Sequence, residues 1–347
     1  MIATIKTVQE IYQQPLTWTK CLHMLRRVDL QALVGDRQPR EFQWVFVGCG
    51  TSYYLAQAAA ASFTLLTGTL ARALPASEIL LHLELSLPSP KTSFPVLISR
   101  SGHTSEILAV AEILKEKGID FLALTCDGNE LAVSTRRVLQ LPAKEESTVM
   151  TASFTSMLLA MQFVAAKISG NGEFLTQLDR LPALVESLLA KYGQQLEKFA
   201  QRPFEDVAVL GQGGLYPIAA EVSLKVMESS SSYAQYFHTL EFRHGPKSII
   251  DERALVIGLI SDAGSEQETK VLREMKELGA STIAIVNHAT EEVRKAADLV
   301  IELSSTQSTL SLLVAYVVWG QLFGSYVGLA KGLNPDEPLN LTRVVTF

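Results

Sequence analysis

The feature that most constrains this chain is that it states one plan twice, and self-similarity at a long period is read before any single motif. Trp44–Gly48 (WVFVG) and Val207–Gly211 (VAVLG) are short, strongly apolar runs that end in glycine. Each reads as a buried parallel strand delivering a loop. A glycine-bearing turn and an alanine-rich helical stretch follow in both halves, CGTSYYLAQAAAA and QGGLYPIAAEVSLK. A second strand recurs in PVLISRSGHTSE and ALVIGLISDAGSEQE, and a third in FLALTCDGNELA and TIAIVNHATEEV. A fourth short strand, VLQLP or LVIEL, then leads to an uncharged stretch, Thr148 to Ala166 in one half and Leu303 to Ala330 in the other. Strands alternating with helices imply βαβ units with right-handed crossovers, hence parallel sheets covered on both faces. The predicted fold is α/β: two tandem, doubly wound α/β/α sandwiches at residues 39–170 and 203–330. Residues 1–38 read as a helical N-terminal segment, 171–202 as a charged helical connector and 331–347 as a tail closing the site.

The 347 residues, 48% of them apolar, are enough for two cores of ordinary size. A net charge of −6 supplies no broad basic surface, so no nucleic-acid partner is expected. Cys21, Cys49 and Cys126 form neither a CxxC pair nor a disulfide framework, which suits a reducing compartment. No basic segment followed by an apolar stretch opens the chain, and a cytoplasmic location is the expectation. Leu303 to Ala330 is long enough to cross a bilayer. Its many polar members, and its counterpart in the first half, favour two buried helices and no membrane partner. Gly320, Gly324 and Gly328 recur at every fourth residue, a spacing that permits close helix approach.

In open α/β sheets ligands sit beyond the carboxyl ends of strands, which singles out the loops after Val47 and Ile98. The segment Ser99-Arg100-Ser101-Gly102-His103-Thr104-Ser105-Glu106 opens a helix after a strand, concentrating hydroxyls and free N–H groups at a positive helix end. A phosphate cradle fits this pattern, and so does a helix that merely has a Ser/Thr cap and a nearby acid. A second hydroxyl-rich turn, Gly48-Cys49-Gly50-Thr51-Ser52, favours the cradle, because glycines let ligand oxygens approach the backbone. Neither turn matches the nucleotide fingerprints GxxxxGK[ST] or GxGxxG, so no cofactor is expected.

In the second half Lys225 and Glu228 are three apart on one helix face. They read either as a surface ion pair or as a general base with a cationic neighbour, the helix C-terminus and burial raising the carboxylate toward the working range. His244 lies in Glu241-Phe242-Arg243-His244-Gly245-Pro246-Lys247, a rigid cationic loop suited to acid/base work or an anion contact. His23, His82, His103, His238, His244 and His288 show no compact metal-ligand spacing, so no metal site is expected.

CGTSY, SRSGHT, LKVME, FRHGPKS and the tail PLNLTRVVT, in that order, resemble the sugar isomerase (SIS) family. The likeness extends from about residue 40 to the end. It is strongest to the isomerase half of glucosamine-6-phosphate synthase and to the galactosamine-6-phosphate deaminase/isomerase, or ketose/aldose isomerase, branch. The resemblance implies that Ser52, Ser99, Arg100, Ser101 and Thr104 hold a substrate phosphate, and that Cys49, Gly50, Thr51, Thr148 and Arg343 face the sugar. It implies Glu228 as the group that moves a proton between C1 and C2, Lys225 as its charge partner, and His244 as the aid to ring opening. In relatives that histidine comes from a second subunit, so a homodimer with a shared active site is implied. Arg343 stands where the synthase has a lysine that opens the ketose ring as an imine, and a guanidinium does not readily form one. The expected activity is conversion of an amino-sugar 6-phosphate to a ketose 6-phosphate and ammonia. Plain ketose/aldose isomerisation and a non-catalytic sugar-phosphate sensor are the alternatives.

Overall fold

The computed structural model describes residues 5–35, 41–89 and 92–346, and the chain divides into two compact units. One comprises Leu16–Glu145, Ala152–Asp179 and Thr342–Phe347; the other comprises Met1–Pro15, Glu146–Thr151 and Arg180–Leu341.

The first of these units holds a parallel sheet of β1 (Gln43–Gly48), β2 (Ala71–Pro75), β3 (Ser93–Ile98), β4 (Leu122–Thr125) and β5 (Val138–Gln140), in the order β2-β1-β3-β4-β5. Alternation along β1 decides what covers each face. Val45 and Val47 join Leu97 and Ala123 against Ile107, Val110, Ala111 and Leu114 of the helix Ser105–Glu116. Trp44 and Phe46 point the other way, and the Trp44 ring lies 4.3 Å from that of Phe63 in the helix Thr51–Thr67. That helix packs on Ala152–Ser169, whose residues are buried through Ala166.

The other unit repeats the design with β6 (Asp206–Gly211), β7 (Tyr233–His238), β8 (Ala254–Ile260), β9 (Ser281–Val286) and β10 (Leu299–Glu302). Its strand order, β10-β9-β8-β6-β7, is the first order written for the second set. Ala208, Leu210, Val256 and Ala284 pack on Val271, Leu272 and Met275 of the helix Ser265–Glu277. The helix Leu313–Ala330 lies on the helix Tyr216–Ser230. An ideal Cβ at Gly320 would stand 2.4 Å from Val222, at Gly324 2.6 Å from the Lys225 carbonyl, and at Gly328 2.0 Å from the Ser229 carbonyl. The glycine spacing therefore serves a tight helix pair within one core.

Among the described residues, the two helices long and apolar enough to span a bilayer are core helices, 83% and 89% buried over Ala152–Ser169 and Leu313–Ala330. The N-terminal segment is helical over Lys6–Tyr12, Gln14–Leu25 and Leu30–Val34, and Gly172–Phe199 forms one long helix. Among the described residues two strands are absent from the sequence reading: β2 and β7. Both are edge strands without a continuous β-branched run, and β7 is only partly buried along most of its length.

Candidate active site

In the unit built on β1–β5, strand order reverses between β1 and β3, since β2 lies to one side and β3 to the other. This is the switch point at which such sheets bind ligands, and the two hydroxyl-rich turns leave it side by side. Gly48 is required there because a Cβ would fall 2.2 Å from the Ser52 carbonyl. Gly50 adopts φ +53° with open space around its missing side chain. Ser52 is buried in the first turn of Thr51–Thr67.

In the neighbouring turn the Ser99 and Thr104 hydroxyls lie 2.9 Å apart. Ser99 Oγ accepts the Gly102 N–H at 3.1 Å, and Ser101 Oγ accepts the His103 N–H at 3.1 Å. Gly102 turns the chain at φ +69°. The helix that follows, Ser105–Glu116, presents its positive end to the same turn. Hydroxyls and helix N–H groups are the kinds of donor from which anion sites at such switch points are built. The Cys49 thiol is pushed up to about 12 by burial, with the Glu106 carboxylate adding to the shift. It stays protonated near neutrality and suits packing or weak hydrogen bonding better than nucleophilic work.

The corresponding turn of the other unit is closed from within. There Ser261 Oγ accepts the Gly264 N–H at 3.0 Å, as Ser99 Oγ does from Gly102, but the Glu268 carboxylate accepts the Ser261 N–H at 2.6 Å and its hydroxyl at 2.9 Å. A carboxylate already occupies the position an anion would take, so the repeat leaves one of its two turns open.

Arg100 is 5% exposed and committed inside the fold: its guanidinium lies 3.3 Å from the Glu145 carboxylate and donates to the Arg343 carbonyl at 3.2 Å. The Arg343 guanidinium donates to the Glu145 carbonyl at 2.7 Å. Thr148 is half-buried and belongs to the β6–β10 unit.

On the helix Tyr216–Ser230, buried Glu221 and Lys225 and half-buried Glu228 form one stripe at i, i+4 and i+7. The Lys225 ammonium is 1% exposed, lies 3.4 Å from the Glu221 carboxylate and donates to Glu228, which retains 18% exposure. Burial alone disfavours the charge on Lys225, but the carboxylates of Glu221 and Glu228 overcome this and hold it above the ordinary lysine value. Lys225 is thus a permanent cation beside the one carboxylate of the three residues that reaches solvent. The sequence reading missed Glu221, although its spacing from Lys225 was the available signal. His244 is exposed on the loop after β7 and lines a cavity of about 560 Å³ with Leu240, Arg243, Lys247, Gln267 and Lys270. Among the described residues no hydrogen bond or ion pair joins His244 to Glu228.

A family model described as SIS domain matches residues 40–167 and 204–324. The isomerizing glutamine–fructose-6-phosphate aminotransferase of Thermococcus kodakarensis is 28% identical over 98% of this chain and 57% of that protein. The corresponding aminotransferase of Mycolicibacterium paratuberculosis is 30% identical, again over 98% of this chain and 57% of that protein. The chain thus spans little more than half the length of these curated relatives. Among solved structures, a glucosamine-6-phosphate deaminase from Thermotoga maritima superposes with a TM-score of 0.79 at 26% identity, covering 98% of this chain and 99% of that one. A tagatose-6-phosphate ketose/aldose isomerase from Escherichia coli superposes with a TM-score of 0.85 at 24% identity, over 96% and 95%, and shares the fold.

Proposed function

This chain belongs to the SIS domain family, and we propose that it is a phosphosugar isomerase whose substrate is an amino-sugar 6-phosphate, converted to the ketose 6-phosphate with release of ammonia. The observation that carries the reading is the pair of turns at the β1/β3 switch point, which bring Ser52, Ser99, Ser101 and Thr104 to one end of one sheet. Four small hydroxyls with helix N–H groups suit a dianionic phosphate; the other repeat closes its equivalent turn with Glu268. Likeness over 98% of the chain to a glucosamine-6-phosphate deaminase supports the amine.

In this reading Glu228 takes the proton from C2 of the opened aldose and returns it to C1. The product of that transfer is the 2-imine, which water hydrolyses to the ketone and ammonia. The Lys225 ammonium, fixed by two carboxylates, offsets the charge that develops on the enediol-like intermediate. His244 assists ring opening and is supplied, as in the family, from a second copy of the chain. Cys49, Gly50, Thr51 and Thr148 face the sugar. Arg343 takes no covalent part, since its guanidinium is engaged with the Glu145 carbonyl.

Incubation with glucosamine 6-phosphate and galactosamine 6-phosphate, with ammonia and ketose 6-phosphate measured together, tests the proposal. Equimolar ammonia and ketose are expected from one of the two. Aldose–ketose interconversion of a neutral-sugar phosphate without ammonia would replace the deaminase with a plain isomerase, and saturable binding without turnover of any of them would replace it with a sensor.

A further inference from the structure

We propose that Arg100 is a positioning residue that latches the carboxyl-terminal tail onto the phosphate turn, so that tail and turn become ordered together. The inference rests on the phosphate reading above only for its ligand; the latch itself stands on the internal geometry of Arg100.

Arg100 lies between Ser99 and Ser101, whose hydroxyls organise the turn. Its carbonyl accepts the N–H groups of Cys126 and Asp127 at 3.1 and 3.0 Å and the Thr125 hydroxyl at 3.2 Å, which fixes the backbone at that point. Its guanidinium completes a closed circuit. Nη1 lies 3.3 Å from Glu145 Oε2, Nη2 donates to the Arg343 carbonyl at 3.2 Å, and Arg343 Nη2 donates in turn to the Glu145 carbonyl at 2.7 Å. The Arg343 guanidinium also lies 3.7 Å from Asp127, the residue whose N–H reaches the Arg100 carbonyl. Two residues further on, the Val345 carbonyl faces the N–H of Ser105, the first residue of the helix behind the turn, at 3.5 Å.

Arg100 and Glu145 are 5% and 0% exposed at their side chains, and burial of two charges is tolerated only when every polar atom is engaged. Glu145 meets that condition by also accepting the Ser153 N–H at 2.8 Å and its hydroxyl, at the start of Ala152–Ser169. The guanidinium also donates to the tail backbone at Arg343. A residue that served only core stability would have no need of residue 343, whereas here the tail is a component of the ion pair's surroundings. Displacement of the tail therefore removes one contact of the Arg100 guanidinium and loosens the hold on the side chain between the two serines. An anion bound by those serines holds the same backbone and, through it, the tail.

The Arg343–Val344 bond provides the readout, because trypsin cleaves after arginine and this arginine is held when the latch is closed. The full chain and the double variant Arg100→Met/Glu145→Gln, which leaves no lone buried charge, are digested under native conditions, and cleavage at Arg343 is followed by mass spectrometry. Cleavage at least about tenfold faster in the variant is expected, the scale of one lost hydrogen bond to a charged group, with other sites unchanged. Arg100→Lys, which retains the pairing with Glu145 but lacks the planar fork, is expected to fall between. Equal cleavage at Arg343 in wild type and variant overturns the latch. Should the double variant fail to fold, Arg343→Ala, which strands no buried charge, is titrated with inorganic phosphate beside wild type. A Kd raised several-fold supports the latch, and an unchanged Kd overturns it. If wild type does not bind phosphate, the phosphate reading falls, while the cleavage rates at Arg343 in Arg100→Lys still decide the latch.

Discussion

At the scale of single residues, the chemistry separates into groups that bind, groups that move a proton and groups that hold these in place. In the proposed reading Ser101 is a binding group, its hydroxyl at the base of the turn. Ser101→Ala is expected to raise KM about tenfold with kcat little changed, the mark of an interaction equal in ground and transition states; a fall in kcat at constant KM would contradict the assignment. Cys49 is held as a thiol at neutral pH by burial and the Glu106 carboxylate. Iodoacetamide at pH 8 should therefore label it far more slowly than it labels the unfolded chain, and equal rates would refute this. Lys225 is more exacting. Lys225→Met leaves Glu221 buried without its cation, a loss of about 3–5 kcal/mol in unfolding free energy, measurable by denaturant titration. The sequence revealed Lys225 and Glu228 as a helix-face pair; Glu221 stands at the same i, i+4 spacing from Lys225, but spacing alone does not distinguish its buried ion pair from a solvated one. It also could not show that the Arg100 guanidinium forms a buried ion pair with Glu145.

At the scale of elements, the glycine face of Leu313–Ala330 sets how closely it approaches the helix that carries Glu221, Lys225 and Glu228. A methyl group at Gly324 would lie 2.6 Å from the Lys225 carbonyl, against backbone that cannot easily yield. Gly324→Ala should lower stability by about 1–3 kcal/mol and reduce kcat with it, because the displaced helix carries the proposed base; unaltered Tm and kcat together would contradict the packing. The buried strands β1, β3, β4, β6, β8 and β9 were legible as apolar runs bounded by turns, since burial on both faces leaves little freedom in composition. β2 and β7 were not, because an edge strand shields only part of its surface and needs no such run. The uncharged helices were readable as core for a related reason: each is buried over most of its length, so no polar face is required.

For the whole molecule, duplication is the main fact, and the departure from it is what points to function. Both sheets have the same strand order and both begin with a strand ending in a glycine too close to the following turn for any side chain. Yet one switch-point turn is open and lined with hydroxyls, while the other is closed by Glu268. The repeat was visible in sequence; its asymmetry was not, because Glu268 reads as an ordinary first-turn acid until its carboxylate is seen on Ser261. The central claim is that the open turn binds a sugar phosphate on which Glu228 transfers a proton. The most direct measurement is exchange of the C2 hydrogen of the amino-sugar 6-phosphate substrate in deuterated water, followed by NMR for wild type and for Glu228→Gln at saturating substrate. The account predicts washout of the C2 signal with wild type, and at least about a thousandfold slower washout with Glu228→Gln while binding persists, since general base catalysis of this kind contributes about 10²–10⁴-fold; washout at the wild-type rate in that variant would contradict it.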